Sequence, residues 1–278
     1  MIKLTFATPA AWHTVEDFGC ATLNFANTEK QVATYEKTFQ GEILTGTYEE
    51  ILEGAKRIGK ADAAIVVFGN AGGENQFLEK LYNIVSCPMV GGGAAFADEP
   101  GLIPGAGEAA VFFIQDDRYA FSTKTQCIHE TLVEYCTLEL NDLRTIRTIN
   151  GCDAKEYLAR KKEELGLQET DFEHLTLTDK RGVNAHLSCV DGIIKSGRDL
   201  QTNMALRYVP HEAVYDRIRK FYDDRDAVIF GCAGLGGLLD KPLQTDNLGL
   251  FLFGEVCTVE NGPEFGNLML SKLIVKEK

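Results

Sequence analysis

Two stretches of the chain carry the same order of apolar and glycine residues, one in each half. The first runs from Asp62 to Gly73 and the second from Asp226 to Gly237. Each follows a segment with apolar residues at helical spacing, and each precedes a further apolar run that contains glycine. Because these runs do not alternate with polar residues, they are typical of strands that are covered on both faces. The pattern predicts two related units, each a helix followed by strands that are joined through glycine turns.

The helix before the first run has the clearest boundaries. Thr47 and Glu50 form a Thr-x-x-Glu capping box, which predicts a helix that begins there and ends near Gly59. Before the second run, apolar residues at helical spacing predict a helix from His211 to Tyr222. A closing strand is predicted for each unit, and the two are Glu108 to Ile114 and Asn267 to Val275.

These elements indicate an α/β or α+β protein with mixed β-sheets, flanking helices and two halves related by a pseudo-two-fold internal repeat. The boundary is predicted near residue 118, which gives an N-terminal domain of residues 1–118 and a C-terminal domain of residues 119–278. Residues 1–46 show the weakest patterns. Small-molecule clefts commonly form where such halves meet, so we expect a ligand site between them.

Composition narrows the classes of function. The chain has 278 residues, of which 45% are hydrophobic and 25% charged, as in an ordinary globular protein with a sizeable core. Its formal net charge of −13 disfavours binding to nucleic acid or to anionic membrane surfaces. No apolar stretch is long enough to span a bilayer, and the apolar start is too short for a convincing signal peptide. We therefore expect a cytoplasmic protein.

The glycine-bearing strand ends are the first candidates for ligand binding. Glycine permits a positive φ and lets a ligand approach main-chain N–H groups closely. Neither segment ends as a Walker A loop does, so a phosphate loop is disfavoured. The alternative is a bulge, or close packing of the two halves. The candidate positions at these ends are Asn70, Gly91, Gly92, Gly93, Ala94 and Gly231.

Glu255 is the most distinctive charged candidate. It follows Gly254 in an otherwise apolar run, so it needs a partner or its pKa must rise. It could bind an amino group or pair with a buried arginine. The alternative is that strand alternation places it on a solvated face.

Cys232 is the candidate for nucleophilic catalysis because it follows a strand and precedes a small-residue turn. None of the five histidines has a spacing that marks it as the partner base. The eight cysteines form no Cys-x-x-Cys pair, which favours reduced and mostly buried thiols over a disulfide framework or a zinc site. No metal-binding motif is present, so no metal cofactor is predicted.

Several segments together resemble the FIST (F-box and intracellular signal transduction) family. The resemblance covers about residues 60 to 278, while residues 1–46 match poorly and suggest an abbreviated N-terminal domain. The segments that carry it are Gly91 to Ala94, Leu140 to Leu158, Asp226 to Cys232, Phe253 to Val256, Gly262, and Asn267 with the strand that follows it.

The resemblance implies a sensory module that binds a small ligand, with amino acids or related metabolites as the usual suggestion. It assigns binding roles to the Gly91–Ala94 strand end, to Gly231 with Cys232, and to Gly254 with Glu255, and Asn267 is a further candidate. Some members of the family are thought to bind haem, but this chain shows no axial-ligand motif. Signalling domains are absent from the sequence, so any signal would pass to a separate protein.

The sequence therefore predicts a non-catalytic protein that binds a small polar metabolite between its two halves. Main-chain N–H groups at the glycine turns would bind a carboxylate, and Glu255 an amino group. One alternative is a hydrolase or transferase that uses Cys232 as a nucleophile. Another is a scaffold that recruits protein partners through exposed strand edges.

Overall fold

The computed structural model describes residues 2–4, 37–69, 72–93, 107–222, 227–232, 234–235, 238–239, 249–252 and 254–278. The helices in these ranges are α1 Tyr48–Ile58, α2 Glu74–Val85, α3 Ala154–Glu164 and α4 His211–Tyr222. The strands are β1 Ile2–Leu4, β2 Lys37–Phe39, β3 Gly41–Thr47, β4 Ala63–Phe68, β5 Met89–Gly93, β6 Glu108–Ile114, β7 Tyr119–Cys127, β8 Thr131–Asp142, β9 Thr145–Ile149, β10 Cys152–Asp153, β11 Leu175–Thr178, β12 Asn184–Val190, β13 Ile193–Ser196, β14 Asn203–Tyr208, β15 Ala227–Cys232, β16 Gly249–Leu252, β17 Glu255–Val259, β18 Gly262–Gly266 and β19 Met269–Glu277.

Two sheets and their helices form four layers. A six-stranded sheet has the order β18-β17-β5-β4-β6-β3, and a four-stranded sheet has the order β16-β15-β19-β7. One apolar core fills the space between the facing sides of these sheets. It contains Ile65 of β4 and Phe230 of β15. Helices α1 and α2 cover the outer face of the first sheet, and α4 covers the second. The predicted mixed α/β class is confirmed.

The uninterrupted apolar runs follow from this layering. Along β4, Ile65 and Val67 point to the core between the sheets, whereas Val66 and Phe68 point to the core under the helices. In a strand, successive side chains point to opposite faces, so a strand between two cores must be apolar at every position. The prediction that this run is a doubly covered strand is confirmed.

The two sheets share part of their pairing pattern. β4 is parallel to β5 and antiparallel to β6, and β15 is parallel to β16 and antiparallel to β19. The sheets differ at one edge, because the hairpin of β17 and β18 adds to β5 of the first sheet. The internal two-fold repeat and the boundary at residue 118 stay predictions.

Helix α1 begins as the sequence predicts. The Thr47 hydroxyl accepts the N–H of Glu50 at 3.3 Å, and the Glu50 carboxylate accepts the N–H of Thr47 at 2.9 Å. These reciprocal bonds satisfy two of the N–H groups that a helix end leaves without partners.

A third sheet lies between β7 and α4 along the chain. Its order is β10-β9-β13-β12-β11-β14-β8, and β8 also pairs with β9, so the strand order closes on itself. The core of this sheet, which we call the inserted sheet, is apolar and includes Tyr157 and Leu158 of α3. No pattern in the sequence predicts this closure.

Ion pairs connect the inserted sheet to the four-layer body. Arg144 contacts Glu74, the first residue of α2, at 3.0 Å. The buried Arg198 contacts Asp179 at 3.2 Å and Glu264 of β18 at 3.6 Å. Because Arg198 is only 3% exposed, its buried charge depends on these two carboxylates for compensation.

The contact of β5 with β17 tolerates no side chain at Gly92. A Cβ on this residue would lie 2.0 Å from the main-chain oxygen of Gly254, so Gly92→Ala should destabilise the protein by about 3 kcal/mol or more. Gly192→Ala is the control, since its Cβ would meet nothing and only its φ of 78° costs about 1 kcal/mol. Urea unfolding of both variants measures the difference. An equal loss of unfolding free energy in the two variants would contradict the steric role of Gly92.

Candidate functional site

Most of the predicted site residues lie at one junction of the fold. The C-terminal end of β5 meets the N-terminal end of β17, where Gly92 pairs with Glu255. The N–H of Gly93 donates to the oxygen of Gly254 at 3.0 Å. Cys232, at the end of β15, interacts with the carboxyl of Glu255. The structure therefore brings together residues that are more than a hundred positions apart in the chain.

The glycines at this junction serve close packing. Gly91 has a φ of 129°, and a Cβ there would lie 1.9 Å from the oxygen of Val66. Gly231 pairs within the second sheet, with Leu270 on one side. The N–H of Gly93 is already bonded within the protein, which supports the packing alternative for this strand end. Two further predicted positions, Asn70 and Ala94, lie outside the described residues.

Glu255 is fully buried, with an exposure of 0%. One carboxyl oxygen, Oε2, accepts the N–H of Met269 at 3.1 Å. The other, Oε1, has no hydrogen-bond partner at normal distance among the described residues. Burial raises the pKa of Glu255 well above its ordinary value, and the Met269 N–H and the Cys232 thiol only partly oppose that rise. The alternative that strand alternation solvates this side chain is wrong.

Cys232 is also buried, with an exposure of 6%. Burial and the nearby Glu255 raise the pKa of its thiol, while main-chain N–H groups of Leu268, Gly234 and Gly254 act in the opposite direction. The net rise keeps the thiol protonated at neutral pH. A protonated thiol is a poor nucleophile, because the thiolate is the reactive form.

Asn267 lies beside this pair and is 5% exposed. Its main-chain N–H donates to the oxygen of Asn184 at 2.9 Å, which ties it to β12 of the inserted sheet. Its side-chain oxygen Oδ1 has no hydrogen-bond partner among the described residues. Glycine at positions 197 and 254 makes room for the amide, since a Cβ there would lie 2.6 Å from Oδ1 and 2.7 Å from Nδ2.

The polar face of the β17–β18 hairpin continues away from Glu255. Cys257 lies two residues further along β17, and Glu264 is its partner on β18. Burial and Glu255 raise the pKa of Cys257, and Arg198 opposes the rise. The period of two between Glu255 and Cys257 is a signal in the sequence for this face, but no sequence pattern indicates that Arg198 reaches it.

Histidines gather next to this junction without joining it. Nε2 of His129 lies 2.7 Å from the main-chain oxygen of Glu173, and burial lowers the pKa of His129 to about 4. The Glu173 carboxylate is 3.7 Å from Nε2 of His186. Within the described ranges, no group of three or more His, Cys, Asp or Glu residues is arranged to hold a metal ion.

The fold and the site define a four-layer αββα protein with an inserted antiparallel sheet and a buried carboxyl group at their junction. Comparison with protein-family models and with curated proteins found no match. The resemblance to the FIST family therefore stays a prediction. In the part of the chain that the structure describes, no helix is long and apolar enough to cross a membrane.

The burial of the thiols sets an expected order of alkylation. Cys152 and Cys189 are exposed, whereas Cys232 and Cys257 are buried with raised pKa values. Brief treatment of the native protein with iodoacetamide at pH 7.5 should label the exposed pair first, because the reagent can reach them, whereas burial shields Cys232 and Cys257 and raises the pKa of both. Peptide mass mapping over time gives the order. Labelling of Cys232 ahead of Cys152 would indicate an activated nucleophile instead.

The buried carboxyl of Glu255 should lower the free energy of unfolding at neutral pH. Since the folded-state pKa of Glu255 is raised, the unfolded state loses its proton first, and stability falls as pH rises above the ordinary value. Glu255→Gln should therefore stabilise the protein at pH 7. The gain over wild type should grow with pH by up to about 1.4 kcal/mol per unit and vanish near pH 4.

Urea unfolding between pH 4 and 8 tests this expectation, with Glu264→Gln as the matched control. Glu264 is paired with Arg198, so its amide variant should be less stable than wild type. A destabilising effect of Glu255→Gln at pH 7 would show that the carboxyl is ionised and paired.

Proposed function

We propose that this protein is a non-catalytic binding protein for a small polar metabolite with a positively charged amino group, which it binds at Glu255. The observation that carries the proposal is a pair of buried oxygen atoms, Oε1 of Glu255 and Oδ1 of Asn267. Neither accepts a hydrogen bond from an N–H or O–H group of the described residues, although the weakly donating thiol of Cys232 interacts with the Glu255 carboxyl. Both belong to residues at the junction of β17, β19 and the inserted sheet. The amino acids and related metabolites that the resemblance to the FIST family implies are ligands of this class.

Two unsatisfied acceptors at one junction favour a ligand that donates hydrogen bonds. Buried polar groups are nearly always bonded, and each one left without a partner costs about 1–3 kcal/mol. An ammonium group has three donors and a positive charge, so it is suited to donate to a carboxylate oxygen and to an amide oxygen. A ligand with only acceptors would leave the amide oxygen of Asn267 unpaired.

Binding without catalysis agrees with the state of Cys232. Its thiol is protonated, and the groups with which it interacts are main-chain N–H groups and another acid, Glu255. A base that could take its proton is not found there among the described residues, since Glu255 itself holds a proton more tightly than usual. In the wider interpretation, ligand binding would be sensed by a separate signalling protein.

A thiol-dependent hydrolase or transferase is the second candidate. Main-chain N–H groups of Gly234, Gly254 and Leu268 favour the ionised form of the Cys232 thiol, and donors of this kind can stabilise a developing negative charge. This candidate requires that the substrate shift the proton from sulfur, and early alkylation of Cys232 in the experiment above would favour it.

Native mass spectrometry and thermal-shift screening against amino acids, alkylamines and small carboxylates test the proposal. A ligand that binds only the folded state raises the melting temperature, so amines should stabilise the protein and carboxylates without an amino group should not. Glu255→Gln should weaken amine binding by at least about tenfold, because the charge of the carboxylate is lost. Glu139→Gln, at an exposed pair with Arg147, is the matched control and should bind as wild type does.

Asn267→Ala should also weaken amine binding, by less than the change at Glu255. If no amine stabilises the wild type, or if both variants bind amines normally, the proposal is wrong.

A further inference from the structure

We infer that ligand binding at this site is a proton exchange, in which Glu255 is a neutral carboxylic acid in the unliganded protein and loses its proton when a cationic amine binds beside Oε1. The inference rests on the proposed function, because it requires a positively charged ligand at the same carboxyl. The step balances as R–NH₃⁺ plus the protonated carboxyl giving an ammonium–carboxylate pair and one proton in solvent. Affinity for the amine should therefore rise with pH.

The first basis is the contrast between two carboxyl groups on one hairpin. Glu264 on β18 forms ion pairs with Arg198 and Arg181. Glu255 on β17 is more deeply buried, accepts one N–H bond and forms no ion pair with a lysine or arginine of the described residues. A buried carboxylate without a cation costs several kcal/mol, so the proton takes the place of the missing partner.

The second basis is the chemistry of three groups whose pKa values Glu255 raises. They are the thiol of Cys232 on β15, the thiol of Cys257 on β17 and the phenol of Tyr222 on α4. All three are acids, so none of them can supply a positive charge. The guanidinium of Arg198 acts on Cys257 instead, and it is paired with two carboxylates.

A cationic ligand would favour the ionised form of the Glu255 carboxyl instead. An opposite charge within about 4–6 Å favours the ionised form of a carboxyl group. Asn267 Oδ1 adds a second acceptor for the same ammonium group. A neutral donor such as an alcohol brings hydrogen bonds but no charge, and it should bind without releasing the proton.

Infrared spectroscopy of the unliganded protein at pH 7 tests the starting state. The difference spectrum of wild type minus Glu255→Gln should contain the C=O stretch of a protonated carboxyl. The difference between wild type and Glu139→Gln should contain only carboxylate bands, because Glu139 is exposed and paired. A carboxylate signal from Glu255 would overturn the inference.

Calorimetric titration tests the exchange, with methylammonium chloride as the cationic probe and methanol as its neutral counterpart. Titrations in phosphate and in MOPS, which contain no primary amine, give the number of protons released from the difference in heat. Wild type and Glu139→Gln should release about one proton per methylammonium bound and none with methanol. The methylammonium affinity should rise by about tenfold for each pH unit over which Glu255 stays protonated.

The outcomes distinguish a failure of the proton exchange from a failure of the proposed amine binding. Amine binding without proton release, or with an affinity that is independent of pH, overturns the exchange and leaves the proposed function intact. Failure of methylammonium and of every amine in the thermal screen overturns the proposed function and the exchange together. Proton release that persists in Glu255→Gln shows that another group titrates, and it also overturns the exchange.

Discussion

The β17–β18 hairpin lies edge to edge with β5, and the geometry of the candidate site depends on this contact. It forms because Gly92 has no side chain where the oxygen of Gly254 approaches, and because Gly93 donates its N–H to that oxygen. Without the contact, β17 would be part of an edge exposed to solvent. With it, the first residue of β17, Glu255, is enclosed between the two sheets and the inserted sheet.

The enclosure of Glu255 explains why the pKa of its carboxyl group is raised. On β17 the side chain of Val256 points into the apolar core under α1 and α2, so Glu255 and Cys257 must point the other way. That side faces the inserted sheet, where Arg198 compensates Glu264 but not Glu255. The fold therefore pairs one acid of the hairpin with Arg198 and Arg181, and leaves the other with the N–H of Met269 and the thiol of Cys232.

The sequence was most informative where one local rule decides the structure. The Thr47 and Glu50 capping box gave the start of α1, and the unbroken apolar run of β4 gave a strand between two cores. Local patterns could not show that β8 pairs with both β14 and β9, because that closure depends on contacts between distant segments. They also could not show that the hairpin after β16 would leave its own sheet and extend the first one.

The same distinction applies to the site. An isolated acid in an apolar run conflicts with its surroundings, and such conflicts between local sequence and fold concentrate at functional positions. This made Glu255 recognisable from the sequence, and the adjacent Gly254 indicated the close approach. Arg198 and Asn184 carry no such conflict in their own segments, so their role at the junction was recognisable only from the structure.

The proposed function would explain why position 255 is a glutamate. Glutamine would keep the shape of the side chain and could still accept the N–H of Met269, and it would remove the cost of holding a proton in the interior. A residue that lowers stability at neutral pH is expected where its chemistry is used, because function and stability often conflict at binding sites. Under the proposed function, an amine ligand would supply donors to the Glu255 carboxylate and to the Asn267 amide oxygen.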